Sequence, residues 1–156
     1  MHRFLTFQRV IGAGLVIGFI GIGAVRTAAD LDPKAIVIQL PKEIKWVRAA
    51  NGGAETAQLV GDPAKPGLYV VLQKWLPHNN SRPHFHPNDR YVMVLSGTWW
   101  VGTGRKYDPD STVPVPTGTF AVHYGKQIHY DGAKDGDVVL EIVGEGPATQ
   151  VAAEDK

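Results

Sequence analysis

Short apolar runs separated by clusters of turn residues make up most of this chain. Runs rich in Val, Ile, Tyr and Trp are typical of β-strands, and clusters of Gly, Pro, Asn and Asp between them are typical of turns. Beyond residue 30 no segment shows a convincing helical period. The pattern therefore predicts an all-β sandwich or barrel. The predicted strands span residues 35–40, 44–47, 68–76, 91–96, 99–101, 119–124, 128–130, 138–143 and 149–152.

Turn chemistry predicts how some of these strands are connected. Gly97-Thr98 separates two apolar runs and is expected to join them as a β-hairpin. The stretch from Gly102 to Pro116 is expected to be a surface loop, and Asp131-Gly132 is expected to be a turn. The last strand, 149–152, is predicted to lie at a sheet edge.

The first 29 residues differ from the rest. Arg3 and Arg9 precede or flank an uncharged apolar run from Val10 to Val25, and the small residues Thr27 and Ala29 follow. This order is typical of a secretory signal peptide. A retained membrane anchor is the alternative, although the run is shorter than the roughly 20 residues that span a bilayer. We expect a signal peptide at 1–29, one domain at 30–156, and a periplasmic or secreted protein.

Composition narrows the function classes. The chain has 156 residues, which predicts a single domain. From Asp30 onward there are 13 Lys and Arg against 15 Asp and Glu, a net charge of −2, and no basic stripe, so nucleic acid is not an expected partner. The chain contains no cysteine, so disulfides and thiolate chemistry are excluded.

Two histidines two positions apart suggest a metal site. Side chains on a strand alternate between its faces, so His84 and His86 point to the same side. Arg90 joins that face if the alternation continues. Neutral imidazoles suit Fe, Mn, Ni, Cu and Zn. The sequence here supplies half of a transition-metal site.

This stretch resembles the first motif of the cupin superfamily, G-x5-H-x-H-x3,4-E-x6-G. His84, His86 and Gly97 match the motif, whereas His78 stands at the leading glycine and Arg90 at the glutamate.

The second cupin motif, G-x5-P-x-G-x2-H-x3-N, follows at a suitable separation. Gly118 and His129 match it, while Tyr124 replaces the proline, Lys126 the second glycine and Ala133 the asparagine. Both motifs in order cover most of the chain beyond residue 30.

The resemblance implies a double-stranded β-helix (a cupin barrel of the jelly-roll type) with a metal held by His84, His86 and His129. It implies a metal-dependent enzyme acting on a small organic substrate, with ferrous iron as the first choice and Mn, Ni, Cu or Zn as alternatives. Dioxygenase-type oxidoreductase chemistry is the leading expectation, with lyase or isomerase chemistry as variants. A non-catalytic cupin that binds a small ligand or metal at a degenerate site is the alternative. The resemblance also makes a homodimer through edge strands an expectation.

Arg90 leaves two roles open. The guanidinium either clamps an anionic substrate or pairs with a carboxylate across the barrel, for which Glu141 is the candidate. Glu141 is otherwise an outward, solvated strand residue. Asp89 supplies the missing carboxylate only if the register shifts by one residue.

Three further residues lie near the motifs. Tyr124 is the aromatic residue that we place in a ligand pocket, and with Arg90 it completes the predicted catalytic set. His123 is interpreted as a surface or hydrogen-bonded core histidine, and His78 as a residue of the rim.

Overall fold

The structure is a computed structural model, and it describes residues 31–155. The predicted signal segment, residues 1–29, lies outside the described residues. Within 31–155 there is no helix long and apolar enough to cross a membrane. The chain divides after Ile38 into two compact units, and all strands of the described residues lie in the second.

Eleven strands form the second unit, and two 3₁₀ helices (Pro41–Glu43 and Pro109–Ser111) interrupt its loops. The all-β prediction is therefore confirmed. In chain order the strands are β1 Val47–Arg48, β2 Ala54–Val60, β3 Gly67–Trp75, β4 His84–Phe85, β5 Arg90–Ser96, β6 Thr98–Thr103, β7 Val113–Pro116, β8 Phe120–His123, β9 His129–Gly132, β10 Val138–Gly146 and β11 Val151–Ala152.

These strands build two antiparallel sheets. The six-stranded sheet has the order β1-β2-β3-β10-β5-β8, and the five-stranded sheet has the order β11-β4-β9-β6-β7. Consecutive strands β4 and β5, and likewise β8 and β9, belong to different sheets. The chain therefore crosses between the sheets at the two places where the histidine motifs lie.

Alternation along β5 shows how one strand contributes to both core and site. Val92 and Val94 are about 1% exposed and pack into an apolar core with Trp99, Leu140 and their neighbours. Tyr91 and Leu95 on the other face are exposed. Arg90 shares the inward face with the two valines because it lies two positions before Val92.

The predicted strand at 35–40 is wrong. Residues 35–40 form no strand in the structure. The backbone N–H groups of Ala35 and Ile36 both donate to the carbonyl of Asp32, so the start of this β-branched run is used in a turn. Strand propensity without a partner strand does not make a strand.

The predicted hairpin at Gly97-Thr98 is also wrong. β5 and β6 lie in different sheets, and β6 pairs with β7 and β9 instead. The stretch predicted as the loop 102–116 therefore contains the end of β6 and all of β7, and Asp131-Gly132 lies within β9. The sequence prediction missed β2, whereas the edge strand predicted at 149–152 is present as β11.

Candidate metal centre

Cross-strand pairing brings the site residues together. His84 on β4 lies directly opposite His129 on β9 in the five-stranded sheet. Arg90 on β5 lies directly opposite His123 on β8 in the six-stranded sheet. The two pairs face each other between the sheets, and His86 follows β4 by one residue.

Every buried polar or charged side chain that the structure describes belongs to this cluster or supports it. A polar group is buried at a cost unless it is hydrogen-bonded or binds a ligand. Their concentration in one place marks it as the candidate site. They are Ser81, His84, His86, His123, His129 and Asp131.

Backbone carbonyls fix the orientation of the three predicted ligands. Nδ1 of His84 donates to the carbonyl of Arg82 at 2.8 Å. Nδ1 of His86 donates to the carbonyl of Thr149 at 3.0 Å, and Nδ1 of His129 donates to the carbonyl of Gln127 at 3.1 Å. A carbonyl only accepts, so each ring carries its proton on Nδ1 and presents a lone pair at Nε2. Partners of this kind orient metal-binding imidazoles in proteins.

The lone pairs converge. One ring nitrogen from each of His84, His86 and His129 lies within 4.8 Å of the other two. Nε2 of His84 and Nε2 of His86 are 3.1 Å apart. Two lone pairs at this distance repel unless a proton or a metal ion lies between them, and two nitrogens bound at about 2.1 Å to one ion at right angles would be about 3.0 Å apart. The donor set therefore fits a transition-metal ion.

The pKa values favour the metal over the proton. Burial, followed by the positive charge of Arg90, lowers the pKa of His86 to about 3. Burial likewise lowers the pKa of His129 to about 4 and that of His84 below its usual value. These imidazoles are neutral at pH 7, which is the state that binds a metal.

Arg90 stands where the cupin motif has its glutamate, and its guanidinium reaches into the cluster. Nη2 donates to Nδ1 of His123 at 2.9 Å and approaches Nε2 of His129 at 3.4 Å. Nε is buried and has no hydrogen-bond partner among the described residues. Burial lowers the pKa of Arg90, opposed by the charge of Asp131, but guanidinium remains protonated in proteins.

His123 belongs to the cluster: it is buried and not on the surface, and it is a core histidine with one ring nitrogen hydrogen-bonded, since Nδ1 accepts from Arg90. Its ring packs against that of His129 with centroids 3.8 Å apart and planes inclined by 34°, and its Nε2 is buried without a partner among the described residues. Burial, followed by the proximity of His129, lowers its pKa to about 3. The sequence signal was available: His123 lies two positions after Ala121 on one face of a strand, but nothing showed which face is inward.

Asp131 is the site residue that sequence reasoning missed. Its two carboxylate oxygens accept from Oγ of Ser81 and from Nε1 of Trp99, each at 2.8 Å. Burial alone would raise its pKa, but the neighbouring His123 and His129, the Ser81 hydroxyl and Arg90 together hold the pKa below its usual value. Asp131 is therefore negatively charged, and its charge balances positive charge in the cluster. Its position two residues after His129 on one strand was the available signal.

The two carboxylates proposed from the sequence lie elsewhere. Glu141 is paired across the six-stranded sheet with Leu72 and Met93, on the face away from the buried Leu140 and Ile142. It forms no ion pair with Arg90. Asp89 is exposed and accepts from the backbone N–H of Gly125 at 2.7 Å. Pairing of Arg90 with Glu141 and replacement of the glutamate by Asp89 are therefore both wrong.

Tyr124 does not reach the three ligands. Its ring is 64% exposed and lines an apolar groove of about 280 Å³ that also contacts His123 and His129. Its predicted part in catalysis stays a prediction. His78 is exposed, as expected of a rim residue.

A separate cavity of about 120 Å³ opens on the other side of the cluster. Its lining includes the predicted ligands His84 and His86, together with Arg90, Asp131, Gln73 and Trp75. Nε1 of Trp75 is buried with no partner among the described residues. The cavity thus lies beside both Arg90 and two of the predicted ligands.

Two residues that replace glycines of the cupin motifs keep the left-handed backbone conformation that favours glycine. His78 and Lys126 stand at motif glycines, and they are the two non-glycine residues with positive φ in residues 31–155, at 61° and 63°. Gly97 and Gly118, which match the motifs, have φ of 79° and 86°. Left-handed conformations favour glycine, so the alignment to both motifs is supported by backbone geometry.

Comparison with known proteins identifies the fold. The sequence matches no family model and no curated protein. The structure is similar to the polyketide cyclase RemF from Streptomyces resistomycificus, with a TM-score of 0.63 and 14% identity over 78% of this chain and 87% of that one. It is also similar to a cupin-2 domain protein from Rhodospirillum rubrum, with a TM-score of 0.56 and 13% identity over 73% of this chain and 76% of that one.

A third solved structure is an uncharacterised double-stranded β-helix protein from Klebsiella pneumoniae. Its TM-score is 0.54, with 20% identity over 70% of this chain and 91% of that one. The chain has the cupin fold. The predicted double-stranded β-helix is confirmed, and three buried histidines of this cupin barrel could hold a metal ion.

Proposed function

We propose that this cupin binds a divalent transition metal through His84, His86 and His129 and acts as a metal-dependent enzyme on a small organic molecule. The observation that carries the proposal is the convergence of three Nε2 lone pairs whose Nδ1 atoms are each held by a backbone carbonyl. Ferrous iron is the first choice, with Mn, Ni, Cu and Zn as alternatives, because neutral imidazole suits all of them.

A bound metal would supply oxygen activation or the polarisation of a substrate oxygen. The protein's own residues would do the rest. His84 and His86 line the 120 Å³ cavity, so a molecule there meets the metal-binding face of these rings. Arg90 would orient the substrate, and Tyr124 would contact a part that extends into the apolar groove. Dioxygenase-type chemistry is our leading proposal. That a similar structure is a polyketide cyclase supports an enzyme of some kind.

One observation favours a second candidate, a non-catalytic cupin that binds a small ligand. Arg90 places a positive charge where the motif has a carboxylate, and its Nη2 lies 3.4 Å from the metal-binding nitrogen of His129. A cation there opposes a dication. In this reading the barrel binds its ligand without a metal.

Metal content decides between the two candidates. We would purify the protein without chelator and measure Fe, Mn, Ni, Cu and Zn by elemental analysis, alongside His84→Ala and His129→Ala. The proposal expects near-stoichiometric metal that falls at least tenfold in each variant, since each removes one of three ligands. His78→Asn is the matched control, because His78 is exposed and outside the cluster. An absence of metal after anaerobic reconstitution with each ion would contradict the enzyme proposal.

A further inference from the structure

Arg90 differs from every other arginine that the structure describes. Arg48 pairs with Glu55, Arg82 with Glu154 and Arg105 with Asp155. Arg90 takes part in none of the ion pairs between residues 31 and 155. The exposed arginines thus have carboxylate partners, and the arginine between the sheets has none.

No carboxylate among the described residues forms an ion pair with Arg90. Its neighbours are the ring nitrogens of His123 and His129 and the hydroxyl of Tyr69, none of which carries a negative charge. The carboxylate of Asp131 lines the same cavity and offsets the charge of Arg90 from a distance, but it forms no ion pair with the guanidinium and accepts instead from Ser81 and Trp99. A partly buried cation without a paired anion is costly. A divalent ion on the three histidines would add two more positive charges to the same space.

Three side chains that carry N–H donors line one cavity. Arg90, Trp75 and Gln73 all border the 120 Å³ space beside His84 and His86, and Asp131 borders it as well. The buried Nε atom of Arg90 and Nε1 of Trp75 have no acceptor among the described residues. Oε1 of Gln73 accepts from Thr56, which leaves the donor end of that amide for another partner.

We infer that a small carboxylate-bearing molecule completes this site, with its carboxylate against Arg90 in the cavity beside the metal-binding histidines. A guanidinium is a planar fork that matches the two oxygens of a carboxylate. The cavity has one such fork, whereas tetrahedral dianions such as phosphate usually need more donors. The inference rests on the proposed function for the identity of the site and narrows its substrate to organic carboxylates.

The test compares propionate with propionamide, which has nearly the same shape and no charge. Isothermal titration would use the full-length protein as purified, with its metal content measured, and again after chelator treatment. We expect propionate to bind at least tenfold more tightly than propionamide in the as-purified protein, because only the carboxylate pairs with the guanidinium. Arg90→Gln should remove that preference, and Arg90→Lys should keep part of it.

Arg48→Gln is the matched control, since Arg48 is exposed and lies on β1, and it should bind propionate like the unchanged protein. Circular dichroism would verify the fold of each variant, and Arg90→Lys keeps the test valid if Arg90→Gln unfolds. Equal binding of propionate and propionamide would overturn the inference, as would tight propionate binding that survives Arg90→Gln. Tighter binding of inorganic phosphate than of propionate would overturn the carboxylate class.

The outcomes separate this inference from the proposed function. Arg90-dependent propionate binding in a protein that never holds metal would support the carboxylate and overturn the metalloenzyme. A metal-loaded protein with no preference for propionate would support metal binding and overturn the carboxylate inference.

Discussion

The two sheets contribute opposite chemistry to the interior. The five-stranded sheet and the turn after β4 supply three imidazoles with converging Nε2 lone pairs, and β9 adds the carboxylate of Asp131. The six-stranded sheet supplies the guanidinium of Arg90 and a fourth imidazole from His123. One sheet therefore offers electron pairs and negative charge, and the other offers a cation and N–H donors.

This difference shows why the loss of the motif glutamate does not by itself abolish the site. The glutamate position lies on β5, in the opposite sheet from His84 and His129. A change there alters the charge that faces the donor set and leaves the backbone anchors of the three imidazoles in place. The donor set and the charge opposite it can therefore be varied separately.

Asp131→Asn should remove the balance of charge between the two sheets. The substitution removes the negative charge of the five-stranded sheet and leaves Arg90 without compensation. We expect the free energy of unfolding to fall by about 3 kcal/mol, since losing one member of a buried charge set costs roughly 3–5 kcal/mol. Urea denaturation followed by tryptophan fluorescence would measure it.

Asp135→Asn is the control for this change, because Asp135 is an exposed acidic residue on the loop after β9. It should alter the free energy of unfolding by no more than about 0.5 kcal/mol. If Asp131→Asn is equally mild, the charge of Arg90 is not balanced by Asp131.

Arg90→Glu should reverse the polarity of the six-stranded sheet. A carboxylate at this position faces the three Nε2 atoms and replaces a repelled cation with a further oxygen ligand. We expect the metal affinity to rise roughly ten- to hundredfold. Competition with a chromophoric chelator would give the affinity for each ion.

The control is Arg48→Glu, which makes the same change in net charge on exposed β1 and should leave the affinity unaltered. An unchanged or weaker affinity in Arg90→Glu would show that the guanidinium does not oppose the metal.

The pair His84 and His86 could be predicted from the sequence because they lie two positions apart on one extended segment. Arg90 follows after a turn that crosses to the other sheet, so its inward position is a property of β5 and does not continue the period of the histidines. His129 required the cupin resemblance, because its pairing with His84 spans the length between two motifs.

The rest depended on long-range pairing. Gly97-Thr98 has the chemistry of a turn whether its strands pair with each other or pass to different sheets, so the predicted hairpin was wrong. Asp131-Gly132 has the same composition as a turn, and only its position in β9 reveals a buried carboxylate. Which face of β8 is inward, and hence the place of His123, follows from the register with β5.

Lys126→Gly tests the connection between the two sheets, because Lys126 lies where the chain crosses from one sheet to the other between β8 and β9. Its φ of 63° is strained for a residue with a Cβ atom, and its backbone N–H donates to the carbonyl of His86 at 2.7 Å. Glycine removes a cost of about 1 kcal/mol but gains freedom in the unfolded chain. We expect a net stabilisation of about 0.5 kcal/mol with no change in metal content.

Lys106→Gly is the matched control, since Lys106 is also exposed but has no positive φ. Glycine there relieves no strain, so it should stabilise nothing and cost a few tenths of a kcal/mol through the unfolded chain. Thermal unfolding of both variants would give the difference. If Lys126→Gly destabilises the protein like its control, the left-handed conformation of Lys126 carries no backbone strain, because the hydrogen bond to His86 compensates for it. The lysine would then be as suitable as the glycine of the motif for setting the position of His129.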